Sequence, residues 1–198
     1  MGEEDSDVTA GYEPATYWDT RLRRHFTLRG VGHQQYAERY NAWVYRAKAR
    51  ALHKLLPKAA HGAQALDVGS GVGWVVQQLL EAGYNVTGCD ISPYAVEQLS
   101  ASFPDQTFFR LRLGEEALPD QDTRYDVVTI LDVTYHIVDD AIWARGVHDL
   151  AAAVRPGGRL VVIDAFGAET RDPASHVRFR SLDMWRNVAS DAGLRLES

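Results

Sequence analysis

The sequence predicts an α/β fold: a doubly wound, mostly parallel sheet with helices on both faces, preceded by a helical segment. Three observations carry that expectation. After Pro57, short apolar runs alternate with helix-length stretches. The runs are continuously apolar rather than alternating, which marks strands buried on both faces. The first of them ends in three glycines at alternate positions, "ALDVGSGVGWVVQQLL", and passes straight into an amphipathic helix, so bare backbone can approach a ligand there.

The elements follow in order. The acidic start, "MGEEDSDVTAGYEP", is expected to fray and lacks the apolar segment of a secretory signal. Residues 17–56 read as one or two helices, in which Arg and Lys interleave with Trp18, Leu22, Tyr40, Trp43 and Tyr45; "LRGVG" breaks them and Pro57 closes them. Residues 1–58 are thus expected to form a helical segment or lid. Residues 59–198 are expected to form the Rossmann-like ligand-binding unit of what is a single domain overall. Strands are predicted at 65–68, 85–89, 107–111, 125–131 and 159–163, with helices between the first and second, second and third, and fourth and fifth. Ser92 can cap the second helix, with Pro93 at its first position, and "RPGGRL" is a turn into the fifth strand. Right-handed crossovers place the strand C-termini, and with them the ligand crevice, on one edge. The final "LRLES" would begin a sixth strand, so the C-terminal strands are expected to be truncated. The sheet edge so exposed invites pairing with a second copy, a possible homodimer.

Composition narrows the partners. With 45% hydrophobic and 24% charged residues the 198-residue chain is an ordinary globular one, and its net charge of −6 argues against nucleic acid. No apolar stretch approaches a membrane span, so a soluble, cytoplasmic protein with no membrane partner is expected. The single cysteine, Cys89, excludes an intrachain disulfide and a thiolate cluster.

Four positions fall on the crevice edge: Asp67 with Gly69, Gly71 and Gly73 after the first strand, Asp90 after the second, residues 114–116 after the third and residues 131–136 after the fourth. Asp90, at the tip of the second strand, can accept both ribose hydroxyls of an adenosine, as in NAD and S-adenosylmethionine sites. The first turn reads GxGxG rather than GxGxxG, and Asp67 sits inside the strand end, where a carboxylate would repel a pyrophosphate and suit an ammonium or sulfonium.

"ALDVGSGVG", "VTGCDISPYAVEQL", "YDVVTILDVTYHI" and "AAAVRPGGRLVVID" together resemble the successive motifs of class I S-adenosylmethionine-dependent methyltransferases, of the small bacterial group with small-molecule substrates. The resemblance covers residues 63–164. It implies S-adenosyl-L-methionine as cofactor, with S-adenosyl-L-homocysteine as product, and a small-molecule acceptor methylated by in-line displacement. By the same resemblance Asp67, Gly69, Ser70 and Gly71 form the loop at the methionine moiety, and Gly73 opens the helix. Asp90 would hold the ribose, Ile91 would pack on adenine, and Leu131 and Asp132 would face the amino acid end. The acid that meets the adenine amino group in many members is not cleanly placed; Glu115 is the candidate. Tyr135 and His136 would face the acceptor.

Methyl transfer needs a base only when the acceptor must lose a proton, and His136 is the candidate because imidazole titrates near neutrality. A histidine that only packs at a helix start is the equal alternative. Asp139 and Asp140 read either as a metal pair with His136 or as N-terminal acids of the following helix; no metal is expected. Tyr12, Tyr17 and Trp18 form a lid over the sulfonium or merely staple the segment down. Arg178 and Arg180, with His176, either select an anionic acceptor or belong to a solvated loop. Two rival functions remain at this stage: a non-catalytic cofactor- or partner-binding module on the same fold, and an NAD(P)-dependent oxidoreductase.

Overall fold

The structure is a computed structural model that describes residues 12–32 and 38–197. The acidic residues 1–11, expected to fray, lie outside the described residues. Five strands, β1 (Gln64–Val68), β2 (Asn85–Asp90), β3 (Thr107–Arg110), β4 (Tyr125–Leu131) and β5 (Val154–Ile163), form a parallel sheet in the order β3-β2-β1-β4-β5. The chain starts at the centre, winds outward to β3 and then crosses to β4. The crevice beyond the ends of β1 and β4 is therefore the topological switch point where such sheets bind ligands.

The pleat explains why the strands read as apolar throughout. Ala65 and Val127 project to one side, against Leu52 of helix α3 (Glu38–Leu55) and Val76 and Leu79 of α4 (Trp74–Glu81). Leu66, Val128 and Ile130 project to the other, where Leu150 of α6 (Asp140–Ala153) lies. Each fully buried Leu or Val on either face contributes roughly 1.5–3 kcal/mol. Helix α5 (Pro93–Ser102) begins where the sequence predicts, its Ala95 N–H donating to Ser92 Oγ at 3.1 Å.

The N-terminal segment is fastened over the crevice. In α1 (Pro14–Arg24), Asp19 Oδ1 accepts from Ser92 Oγ at 2.8 Å and from the Tyr94 N–H at 3.0 Å. Arg21 donates to the Gly30 and Gly32 carbonyls at 2.6 and 2.8 Å, folding the single turn α2 (Leu28–Val31) back along α1. Helix α3 puts Leu52 into the central core, so the segment shares the sheet's apolar interior.

The C-terminal third departs from expectation. The "RPGGRL" turn is absorbed into β5, because Val154 already pairs with Tyr125 and a register shift between Tyr125 and Val127 takes up the extra residues. Residues expected to start a sixth strand are not one: the Leu194 N–H donates to Ala189 O at 2.8 Å, closing helix α7 (Leu182–Asp191). Where a loop was expected, β6 (Arg171–Ala174) and β7 (Val177–Phe179) form an antiparallel hairpin. Among the described residues no helix is long and apolar enough to cross a membrane.

Candidate functional site

The C-terminal ends of β1, β2 and β4 open into a cavity of about 320 Å3, at the small end of the range for ligand sites. Its floor is the turn after β1. Gly69 and Gly71 have φ of 77° and 52°, a region side chains disfavour, and a Cβ on Gly69 would lie 2.2 Å from Val133 Cγ2. The Gly69 and Ser70 N–H groups both donate to Cys89 O, at 2.8 and 3.0 Å, so β2 holds the turn in place. Gly73 does not line the cavity; it lets α4 start against α5, where a Cβ would meet Leu99 and Phe103 at 2.8 Å.

Asp90 lies on the cavity wall, its Oδ2 accepting the Gly71 N–H at 2.8 Å and its Oδ1 the Ser92 N–H at 2.9 Å. Burial raises its carboxyl above the usual range. Each oxygen keeps a lone pair beyond these bonds, enough to accept a further donor. Ile91 lies beside it on the wall. Asp67 is a correction. Its side chain is buried against the neighbouring strand β4 and does not line the cavity; at 1% exposure it accepts from Thr129 Oγ1 at 2.8 Å, and Oδ2 has no partner. Burial pushes its carboxyl up to about 7.

The end of β4 supplies the opposite wall. Leu131 and Asp132 line the cavity, and Asp132 has φ of 56°, rare for a residue with a side chain and characteristic of functional sites. Two bonds hold it there: its N–H donates to Ile163 O at 2.8 Å, and its carboxylate pairs with Lys48 of α3. The 3-10 turn Thr134–His136 follows. His136 faces the cavity with Trp18, whose ring meets it edge-on at 4.9 Å between centroids. Its Nδ1 lies 3.2 Å from His176 O, and desolvation pushes its imidazole down to about 4. Tyr135 does not line the cavity; its ring packs between those of His136, at 4.4 Å, and Phe179, at 5.5 Å between centroids. Tyr17 is also outside it, its hydroxyl accepting from Arg21 at 2.9 Å, whereas Tyr12 and Trp18 are in the roof.

The two arginines are a second correction. Arg178 is held by Asp140 and Asp172, and Arg180, 2% exposed, by Asp140 and the Ile137 carbonyl; neither reaches the cavity. The reason is the hairpin, which turns β7 against the start of α6. Asp139 is the α6 N-cap, accepting from the Ala141 and Ile142 N–H groups, and Asp140 is the arginines' counter-ion. Glu115 lies at the cavity rim near Arg112, while Glu116 is taken by the Arg112 N–H at 2.8 Å. Lys48 was not expected at the site. Its signal was its place among apolar positions on the inner face of α3, which did not indicate a target.

The bare backbone at 69–71, the accepting carboxylate of Asp90 and the aromatic roof form a cradle that a Cβ would fill, and they fit a nucleoside with a cationic end such as S-adenosylmethionine. Similarity to known proteins agrees. The profile of a family described as a methyltransferase domain matches residues 40–198. The chain is 36% identical over 113 residues to an uncharacterized methyltransferase of Mycobacterium tuberculosis, covering 57% of this chain and 43% of that protein. It is 28% identical over 148 residues to a ubiquinone biosynthesis O-methyltransferase of Alkalilimnicola ehrlichii, covering 68% and 57%. A solved SAM-dependent methyltransferase from Leishmania major shares the fold, with a TM-score of 0.72 over 93% of this chain and 73% of that one at 19% identity. The chain spans less than two thirds of the length of both curated relatives.

Proposed function

Since the chain belongs to the class I S-adenosylmethionine-dependent methyltransferases, we propose that it methylates an uncharged, planar hydroxyl compound, with His136 taking the acceptor's proton. The observation that carries this reading is that Asp90 and His136 stand on the wall of one cavity, the first a carboxyl accepting hydrogen bonds beside bare backbone and the second a neutral imidazole under an aromatic roof.

When bound, S-adenosylmethionine supplies an electrophilic methyl group on a sulfonium. The chain's own residues do the rest. Asp90 accepts hydroxyl donors and fixes the ribose end, while Gly69 and Gly71 leave room for the amino acid end. The backbone at Leu131 and Asp132, held by the Asp132 pair with Lys48, lines the same end. Trp18, whose ring carries the Arg21 guanidinium at 5.0 Å, and Leu22 close the roof and exclude water. His136 accepts the proton as the acceptor oxygen is alkylated, and holding the two reactants together in one dry pocket lowers the barrier by orientation.

An anionic acceptor is disfavoured, because Arg178 and Arg180 are paired with carboxylates outside the cavity and Arg112, on its wall, is paired with Glu13 and Glu115. Ile137, Val138 and Ile142 instead make that part of the wall apolar. The name of the Alkalilimnicola relative, an O-methyltransferase of ubiquinone biosynthesis, supports an oxygen acceptor on a ring. The test is transfer of a labelled methyl group from S-adenosylmethionine to a panel of phenols, carboxylates and amines. Label in the phenols alone supports the reading; label confined to carboxylates, or none with cofactor bound, refutes it.

A further inference from the structure

We infer that the β6–β7 hairpin is a positioning device: its tip carbonyl holds His136 in the one neutral tautomer whose bare Nε2 is presented to the cavity, and Arg178 and Arg180 hold the hairpin in register. The inference rests on the reading of His136 as the base.

The hairpin turns through Ser175 and His176, between the paired residues Ala174 and Val177, and so brings the His176 carbonyl to 3.2 Å from His136 Nδ1. A carbonyl oxygen only accepts, so the proton of a neutral imidazole at this spot belongs on Nδ1 and the lone pair on Nε2. Nε2 has no hydrogen-bond partner among the described residues, and the ring lines the cavity. The His176 ring lies parallel to that of His136, 5° between planes and 6.2 Å between centroids, which fixes the second plane of contact.

Arg180, just beyond the hairpin's second strand, fastens it to the turn that carries His136, and Arg178, in the middle of that strand, fastens it to α6 and β6. Arg180 donates to Ile137 O at 2.7 Å and approaches Thr134 O at 3.4 Å, the carbonyls of the residue after the Thr134–His136 turn and of its first residue. The same guanidinium donates to Asp140 Oδ1 at 2.9 Å and lies over the Trp143 ring at 4.5 Å. Arg178 bridges Asp140, on α6, and Asp172, on β6, with distances of 2.9 and 2.7 Å. A lysine at 180 could not reach two carbonyls and a carboxylate together, because only the guanidinium offers a rigid fork of donors. Residues that read as an anion trap in the sequence therefore act through His136, at one remove from any acceptor.

The experiment is long-range 1H–15N correlation of the His136 ring nitrogens in the full chain, with and without S-adenosylhomocysteine, beside turnover. In the parent protein, a protonated Nδ1 and bare Nε2 are expected. In Arg178→Ala, a partly exposed position that leaves the core untouched, the ring is expected to divide between tautomers, with turnover about tenfold lower and homocysteine-compound affinity within about twofold of the parent. Arg180→Lys is expected to do the same more strongly. A proton on Nε2 in the parent, or an Arg178→Ala spectrum and turnover matching the parent, overturns the positioning role. A His136→Gln protein that turns over at the parental rate overturns the base reading instead, and leaves the tautomer result standing.

Discussion

Asp90 accepts the Gly71 N–H at 2.8 Å, so the carboxylate at the end of β2 holds the turn that follows β1. One side chain therefore both shapes the loop and faces the cavity.

Asp90→Ala is expected to weaken S-adenosylhomocysteine binding by at least roughly tenfold, since a hydrogen bond to a charged group is worth about 1.5–3 kcal/mol. Asp90→Asn keeps one acceptor oxygen for the backbone and should fall between the two. Calorimetric titration measures both, and NADH in the same cell should give no heat of binding. Parental affinity in the alanine variant would remove Asp90 from the site.

Gly69 and Gly157 separate conformational strain from crowding. Both have positive φ, 77° and 78°, but a Cβ at 157 meets nothing within 4 Å while one at 69 strikes Val133. Gly157→Ala should cost about 1–2 kcal/mol of left-handed strain. Gly69→Ala should cost more, because the Val133 wall must also move. Urea midpoints at constant slope give the comparison, and equal losses would mean that the Val133 contact is soft.

The strand positions, the crevice edge and the glycine turn at the cavity floor were legible because each rests on local signals: apolar runs of strand length, Gly at positions of positive φ, and Ser92-Pro93 opening a helix. What the sequence hid is long-range. Arg178 and Arg180 look like free cations until the hairpin brings them to Asp140, about 40 positions away in the chain. The hairpin itself carries Pro173 and charged residues, a poor strand signature. Asp67 shows a different failure, for it was placed at the right strand end but its direction depends on the pleat. Tyr135 and His136 are neighbours in sequence, and only the 3-10 turn decides which of them faces the cavity.

Asp67 predicts a pH dependence of stability. Burial raises its carboxyl from 3.8 to about 7, so between those values the folded state binds more protons than the unfolded one. The sign follows: the protonated form's stabilising contribution is fully present below pH 3.8 and is lost as pH rises to about 7, with no further change above. The limiting slope for one such group is about 1.4 kcal/mol per pH unit. Asp67→Asn removes the titration while keeping an acceptor for Thr129 Oγ1. The parent-minus-variant difference in unfolding free energy should therefore fall from pH 4 to 7; a flat difference would mean that Asp67 is ionised throughout.

His136 predicts the acceptor's acidity. Desolvation holds the imidazole near 4, so the neutral base is the dominant form across the physiological range and kcat/KM should show no histidine limb between about pH 5 and 8. So weak a base cannot deprotonate an alkyl hydroxyl in advance; even a phenol, near 10, transfers its proton only as alkylation makes the oxygen acidic. Turnover should then rise along a series of phenols as the hydroxyl pKa falls, and alkyl alcohols should be inert. His136→Gln should lower kcat by about 100-fold or more with cofactor affinity unchanged. It should lose least with the most acidic phenols, which need the base least. A uniform loss across the series would mean that His136 orients the acceptor without receiving its proton.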